Sequence, residues 1–123
     1  MKTVLIVEDD DALRESLEAY LDLAGFAVTG VPDGRSFRRE LEEHRFAVVV
    51  IDLGLPDEEG EGLVELVRRT TDAMIVVVTS RDTLAARVDC YGLGADLFLR
   101  KPVDGRELTA AIGDLSWPSG AGG

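Results

Sequence analysis

The chain contains one cysteine, Cys90, and one histidine, His44. A lone cysteine excludes an internal disulfide and any metal site built on several thiolates. Cys90 lies among apolar neighbours in a helical pattern, so a packed thiol is its expected role. Basic residues are also scarce: 13 lysines and arginines stand against 24 acids, a net charge of −11. A face that grips phosphates needs clustered lysine and arginine, so this domain is not expected to contact nucleic acid. The acidic balance suits plain solubility or a site that holds a cation. No apolar run approaches the ~18 residues of a membrane span. The opening "MKTVLIVEDDD" meets acids too early for a signal peptide, so the expected location is cytoplasmic, away from membranes. No segment repeats, and 123 residues suffice for one compact domain rather than two.

What is present is order. Five short apolar runs occur at residues 3–7, 27–31, 47–51, 74–79 and 97–99, rich in β-branched residues. The strongest are continuous rather than alternating, as expected of strands covered on both faces. Helical stripes lie between them. Leu13, Leu17, Leu21 and Ala24 form the first, stopped by Gly25. Phe37 and Leu41 form the second; Leu63, Leu66 and Val67 the third; Leu84 and Val88 the fourth, ended by the "GLG" at 92–94. Leu108, Ile112 and Leu115 form the fifth, which opens at Asp104 with Glu107 three residues on, as in a capping box. Strand and helix thus alternate five times. That predicts an α/β fold: a doubly wound parallel sheet with helices on both faces and right-handed crossovers. The expected domain covers 1–116, and the Gly-rich "WPSGAGG" at 117–123 reads as a linker or tail.

In such a fold the working site lies outside the carboxyl ends of the strands. Glu8, Asp9, Asp10 and Asp11 follow the first run, Asp52 the third, Thr79 and Ser80 the fourth, and Arg100, Lys101 and Pro102 the fifth. Only the second strand ends without obvious chemistry. Asp52 closes an apolar segment, and a buried carboxylate is costly unless something pairs with it. Lys101 would supply that partner. Glu8, Asp9 and Asp52 together would repel one another unless a divalent cation joined them, and hard oxygen ligands in this number suit Mg²⁺. Asp10 or Asp11 is expected to cap the first helix instead. Gly54 lets the backbone come close and offers a carbonyl to the cation, and Gly60 marks a second turn. A carboxylate beside Mg²⁺ and a lysine can act as a nucleophile toward phosphorus, and phosphoryl transfer asks mainly for positioning and charge neutralisation. Thr79 would offer its hydroxyl to the same anion. No histidine stands at the site, since His44 ends the second helix, so the donor must bring its own leaving group.

In this order the residues resemble the receiver domain of two-component response regulators, over residues 2 to 115: Glu8 and Asp9, Asp52 in "DLGLP", Gly60, Thr79, Phe98 and Lys101–Pro102. The resemblance implies a flavodoxin-like strand order 2-1-3-4-5. It implies Mg²⁺-dependent transfer to Asp52 from a phosphohistidine on a sensor histidine kinase or phosphotransfer protein. The chain would then be a phosphoacceptor rather than an enzyme acting on outside substrates. It implies a switch in which Thr79 moves toward the phosphoryl group and Phe98 turns inward, altering the face of the fourth helix, fifth strand and fifth helix. Gly54 and Arg81, two positions after Asp52 and Thr79, would tune water's access, Gly54 opening the site and Arg81 partly covering it.

That same face would serve a homodimer. Arg87, Asp96 and Glu107 fit the charged pattern of regulators with winged-helix effectors, whereas Gly92, Leu97, Ala111 and Gly113 stand where charges are commonly seen. The ion-pair lattice is depleted, leaving an apolar version through Leu97. The expected output is transcription through a DNA-binding domain beyond the linker; a stand-alone or phosphorylation-independent receiver is the alternative. An aspartate-nucleophile phosphatase is disfavoured because Gly54 stands where its second acid belongs. A flavin-binding flavodoxin is disfavoured because four consecutive acids would repel a phosphate.

Overall fold

The computed structural model describes residues 2–113. The chain alternates β1 (Thr3–Val7), α1 (Asp11–Leu23), β2 (Ala27–Val31), α2 (Gly34–Glu43), β3 (Val48–Ile51), α3 (Gly60–Thr70), β4 (Met74–Thr79), α4 (Leu84–Leu93), β5 (Leu97–Arg100) and α5 (Gly105–Gly113). The strands form one parallel sheet in the order β2-β1-β3-β4-β5. The expected fold class and strand order are therefore found. Leu115 and the linker at 117–123 lie outside the described residues.

The continuous apolar runs have a direct explanation. Alternate strand residues point to opposite faces. Leu5, Val7, Val49, Ile51, Ile75 and Val77 join Phe37, Leu63, Val64 and Val67 in one core layer, beneath α2, α3 and α4. Val4, Ile6, Val48, Val50, Val76 and Val78 join Leu17, Leu21, Leu108 and Ile112 in the other, beneath α1 and α5. Both faces are covered, so neither set can be polar.

Helix ends follow the sequence signals. Asp10 caps α1 by accepting from the Leu13 N–H, Asp33 caps α2 at Ser36, and Thr83 caps α4 at Ala86. Gly25 and Gly94 have positive φ of 97° and 117° at the ends of α1 and α4. Ala24 is exposed as the C-cap of α1, so the buried stripe of that helix ends at Leu21.

One expected stripe is misplaced. Leu84 and Val88 are 78% and 60% exposed, and α4 buries Ala86 and Cys90 instead. An i, i+4 apolar pair names a face but not the direction it points. Here small residues occupy the face toward the sheet. Cys90 is the packed thiol expected of it, and burial pushes it up to about 11. No helix among the described residues is long and apolar enough to cross a membrane.

Candidate functional site

The parallel sheet brings the ends of β1, β3, β4 and β5 to one rim. Glu8 and Asp52 are 3% and 6% exposed there, whereas Asp9 is open to solvent. Carboxylate oxygens of Glu8, Asp9 and Asp52 all lie within 4.8 Å of one another. The Lys101 ammonium sits 2.6 Å from Glu8 Oε1 and 3.1 Å from Asp52 Oδ2. The other oxygen of Asp52, Oδ1, accepts from the Gly54 N–H at 3.1 Å. Glu8 Oε2 accepts from the Asp10 N–H at 3.0 Å. The apolar strand therefore ends in an acid because a lysine and a loop amide receive it.

Two buried carboxylates share one ammonium. Burial raises the Glu8 carboxyl above its ordinary value, and the hydrogen bond from Lys101 only partly offsets this. Burial alone would lower the Lys101 ammonium, yet the hydrogen bond to Glu8 and the charge of Asp52 raise it. Acids outnumber the ammonium at this point of the rim, and the lysine stays protonated.

The backbone fixes these side chains. The Glu8 N–H donates to the Val31 carbonyl, and the Lys101 N–H donates to the Thr79 carbonyl at 2.9 Å. The Lys101–Pro102 peptide is cis. Gly60 is the first residue of α3, and a Cβ there would lie 2.5 Å from the Asp52 carbonyl oxygen. Only glycine permits α3 to start so close to β3. At Gly54 a Cβ would meet nothing within 4 Å, so the site is open on that side.

Thr79 is buried, and its hydroxyl oxygen accepts from the Arg81 N–H at 3.1 Å. The Arg81 guanidinium reaches the acids at the start of α3, pairing with Glu59 and Glu61. Phe98 is 5% exposed and already packed inward, with the Arg87 guanidinium 5.2 Å from its ring centroid. Arg87 pairs with Asp82, and Asp96 pairs with Arg68 and accepts from the Ile75 N–H. Two of the three charges expected at a dimer face thus have partners within the chain.

Sequence reasoning passed over the end of β2. Asp57 accepts from the Gly34 and Arg35 N–H groups at the start of α2, and Arg38 of α2 pairs with Glu58. The acid run "DEEGE" at 57–61 was the available signal.

The family model described as the response regulator receiver domain matches residues 4–113. The chain belongs to this family. Among curated proteins, the receiver domain is 40% identical over 114 residues to the transcriptional regulatory protein GltR of Pseudomonas aeruginosa, covering 90% of this chain and 47% of that protein. It is 36% identical over 110 residues to the transcriptional regulatory protein BasR of Escherichia coli, covering 89% and 50%. The chain thus spans about half the length of the curated relatives it matches. Among solved structures, a CheY-like receiver domain protein from Methanospirillum hungatei superposes with a TM-score of 0.87 at 30% identity, covering 92% of this chain and 91% of that one. A response regulator from Burkholderia pseudomallei, solved with a phosphorylated aspartic acid, a calcium ion and citrate, gives 0.86 at 26% identity, covering 91% and 66%. This chain is thus the receiver domain of a two-component response regulator whose relatives regulate transcription.

Proposed function

We propose that Asp52 is the phosphoacceptor and that the rim binds Mg²⁺ through Glu8, Asp9, Asp52 and the Gly54 carbonyl. The observation that carries this reading is two buried carboxylates sharing one ammonium, with the exposed Asp9 carboxylate within 4.8 Å of both. The donor set consists of hard oxygens, which suits Mg²⁺. When bound, the ion supplies charge neutralisation at the phosphoryl oxygens.

The phosphorylated aspartic acid in the B. pseudomallei regulator makes the same chemistry the natural reading here. A carboxylate oxygen of Asp52 attacks phosphorus and forms an acyl–phosphate bond. The phosphorus–nitrogen bond of the donor phosphohistidine breaks, and its imidazole leaves with the bonding electron pair. Lys101, already within hydrogen-bond reach of Asp52, takes one phosphoryl oxygen. The buried Thr79 hydroxyl leaves the Arg81 N–H and donates to another. No general acid from this chain is needed, consistent with a phosphoacceptor that hydrolyses only its own anhydride.

Thr79 and Phe98 form the switch; Phe98 is already inward here, so it would be held there as Thr79 moves, and the change would pass to α4, β5 and α5. That face, exposing Leu84 and Val88, would meet a second copy or an output domain. The partner is a sensor histidine kinase or phosphotransfer protein, in the cytoplasm. The curated relatives, about twice as long, regulate transcription, so a DNA-binding output is the response proposed here. Gly54 and Arg81 tune the anhydride's lifetime: a side chain at 54 has space to stand over the site.

Incubation with acetyl phosphate and Mg²⁺ should add one phosphoryl mass to the wild type and none to Asp52→Asn. Uptake by Asp52→Asn at the wild-type rate would refute the assignment. Gly54→Met should change the dephosphorylation rate while leaving the fold intact, and an unchanged rate would remove Gly54 from the tuning role.

A further inference from the structure

We propose that the tip of the β3–α3 loop is clasped to the start of α2, and that this clasp aims the Gly54 backbone at Asp52. Asp57, Glu58 and Arg38 are then positioning residues for the phosphoryl site. The inference rests on the phosphoacceptor reading above.

The loop has a closed neck. The Gly60 N–H donates to the Leu53 carbonyl at 2.9 Å, and Gly54 and Glu59 form an isolated antiparallel bridge. The tip reaches across to α2. Asp57 Oδ1 accepts from the Gly34 N–H at 2.9 Å, and Oδ2 accepts from the Arg35 N–H at 3.0 Å. These are first-turn amides that α2 itself cannot satisfy. Asp33, the helix's own cap, takes the Ser36 N–H. Hydrogen bonds from the Gly34 and Arg35 amides, with the Arg38 charge nearby, hold the Asp57 carboxyl below its ordinary value. Arg38, one turn further, donates to both oxygens of Glu58, at 3.1 Å from Nε and 2.7 Å from Nη2. Such a fork fixes orientation as well as distance.

Glycine at 34 is part of the same device. A Cβ on Gly34 would run into the Glu58 carboxylate. The Glu58 side chain therefore lies directly against the backbone at the start of α2, and a methyl at 34 would push it away.

The clasp matters because Gly54 has no packing of its own. It is exposed, and beyond its chain neighbours no heavy atom lies within 4 Å of its Cβ position. Apart from its hydrogen bond to Asp52, its orientation is set by the neck and the tip of the loop that carries it. Yet its N–H holds Asp52 Oδ1, while Lys101 holds Oδ2. A slack tip would let Gly54 turn and leave Asp52 fixed through one oxygen. The exposed pairs of the clasp add little to stability. Their effect should fall on the geometry of Asp52 rather than on the fold.

Two independent openings test this. The double variant Asp57→Ala/Arg38→Ala removes the polar ties. Gly34→Ala keeps every charge, displaces Glu58 and raises helix propensity. Arg39→Ala, next along α2, is the control. In both opened proteins the Gly54 amide should exchange with solvent about tenfold faster, and phosphorylation at saturating acetyl phosphate and Mg²⁺ should slow by about tenfold. Melting temperatures should stay near wild type, and the control should match wild type in all three readouts. Unchanged Gly54 exchange in both opened variants would overturn the clasp, and so would faster exchange with an unchanged phosphorylation rate. If the wild type itself takes no phosphoryl group, the phosphoacceptor reading fails, and the exchange measurement alone decides the clasp.

Discussion

The β1–β3 rim and the α4–β5 flank of the same sheet are built by opposite rules. At the rim, Glu8, Asp52 and Lys101 are largely withdrawn from water and touch one another at 2.6 and 3.1 Å. At the flank, Leu84, Val88 and Tyr91 face solvent while charges are tied by surface pairs such as Arg87–Asp82. Buried unlike charges are costly to separate, whereas surface pairs contribute little. A rim of this kind holds one geometry, and a flank of this kind can change its arrangement at small cost. On the function proposed above, detection would fall to the rigid rim and response to the looser flank, with Thr79 and Phe98 between them.

The largest expected break comes from taking the ammonium out of the rim. Lys101→Met would leave the two buried carboxylates of Glu8 and Asp52 facing each other without their shared ammonium. The phosphoryl group would also lose the donor within reach of Asp52. The rate of phosphorylation by acetyl phosphate should fall by about a hundredfold, the scale of a lost charge-stabilising donor. A rate within twofold of wild type would show that Lys101 only neutralises the acids. The matching break in the flank is Phe98→Ala. This ring lies in the core layer with Ala86 and Cys90. Its truncation should cost about 3 kcal/mol in urea unfolding.

The rim was more legible than the flank for a physical reason. Burying a charge demands a partner, so acids and a lysine at strand ends implied their own convergence. Glu8, Asp52 and Lys101 could be placed together without coordinates. The apolar pair Leu84/Val88 carried no such demand, because an exposed leucine costs a soluble protein little. Its spacing predicts a buried stripe, yet it points outward. The end of β2 looked empty because its chemistry is backbone: Asp57 is received by amides of Gly34 and Arg35, which no side-chain pattern announces. Arg81 likewise followed the acids of α3, which lie about twenty residues earlier in the chain.

A third prediction sharpens the contrast through pH. The folded Glu8 carboxyl binds its proton more tightly than in the unfolded chain, where its value is near 4.5. Glu8 therefore contributes most stability below that value, and the contribution is lost as pH rises through its raised folded value. Asp57 and Asp82 are lowered from 3.8 and act in the opposite sense, losing their contribution as pH falls. The difference in urea midpoint between wild type and Glu8→Gln isolates the first effect. Without Mg²⁺, the wild type should lose stability relative to the variant as pH rises above 4.5. With Mg²⁺ at ten times its Kd, wild type should gain about 1.4 kcal/mol above that pH. A pH-independent difference would mean that Lys101 alone satisfies Glu8.

The smallest effect is expected from Leu84→Ser and Val88→Ser, and its smallness is the point. Both side chains are mostly in water, and the sheet-facing residues of α4 are Ala86 and Cys90. Removing exposed apolar groups should move the stability of the monomer by no more than about 0.5 kcal/mol. Replacing Cys90 by serine in the same helix would put a hydroxyl into the apolar layer and should cost about 1–3 kcal/mol. If the two exposed substitutions instead destabilised the protein as much as Cys90→Ser, α4 would have to be rotated about its axis in solution, with Leu84 and Val88 against the sheet. The flank would then be a second packed face, and its difference from the rim would vanish.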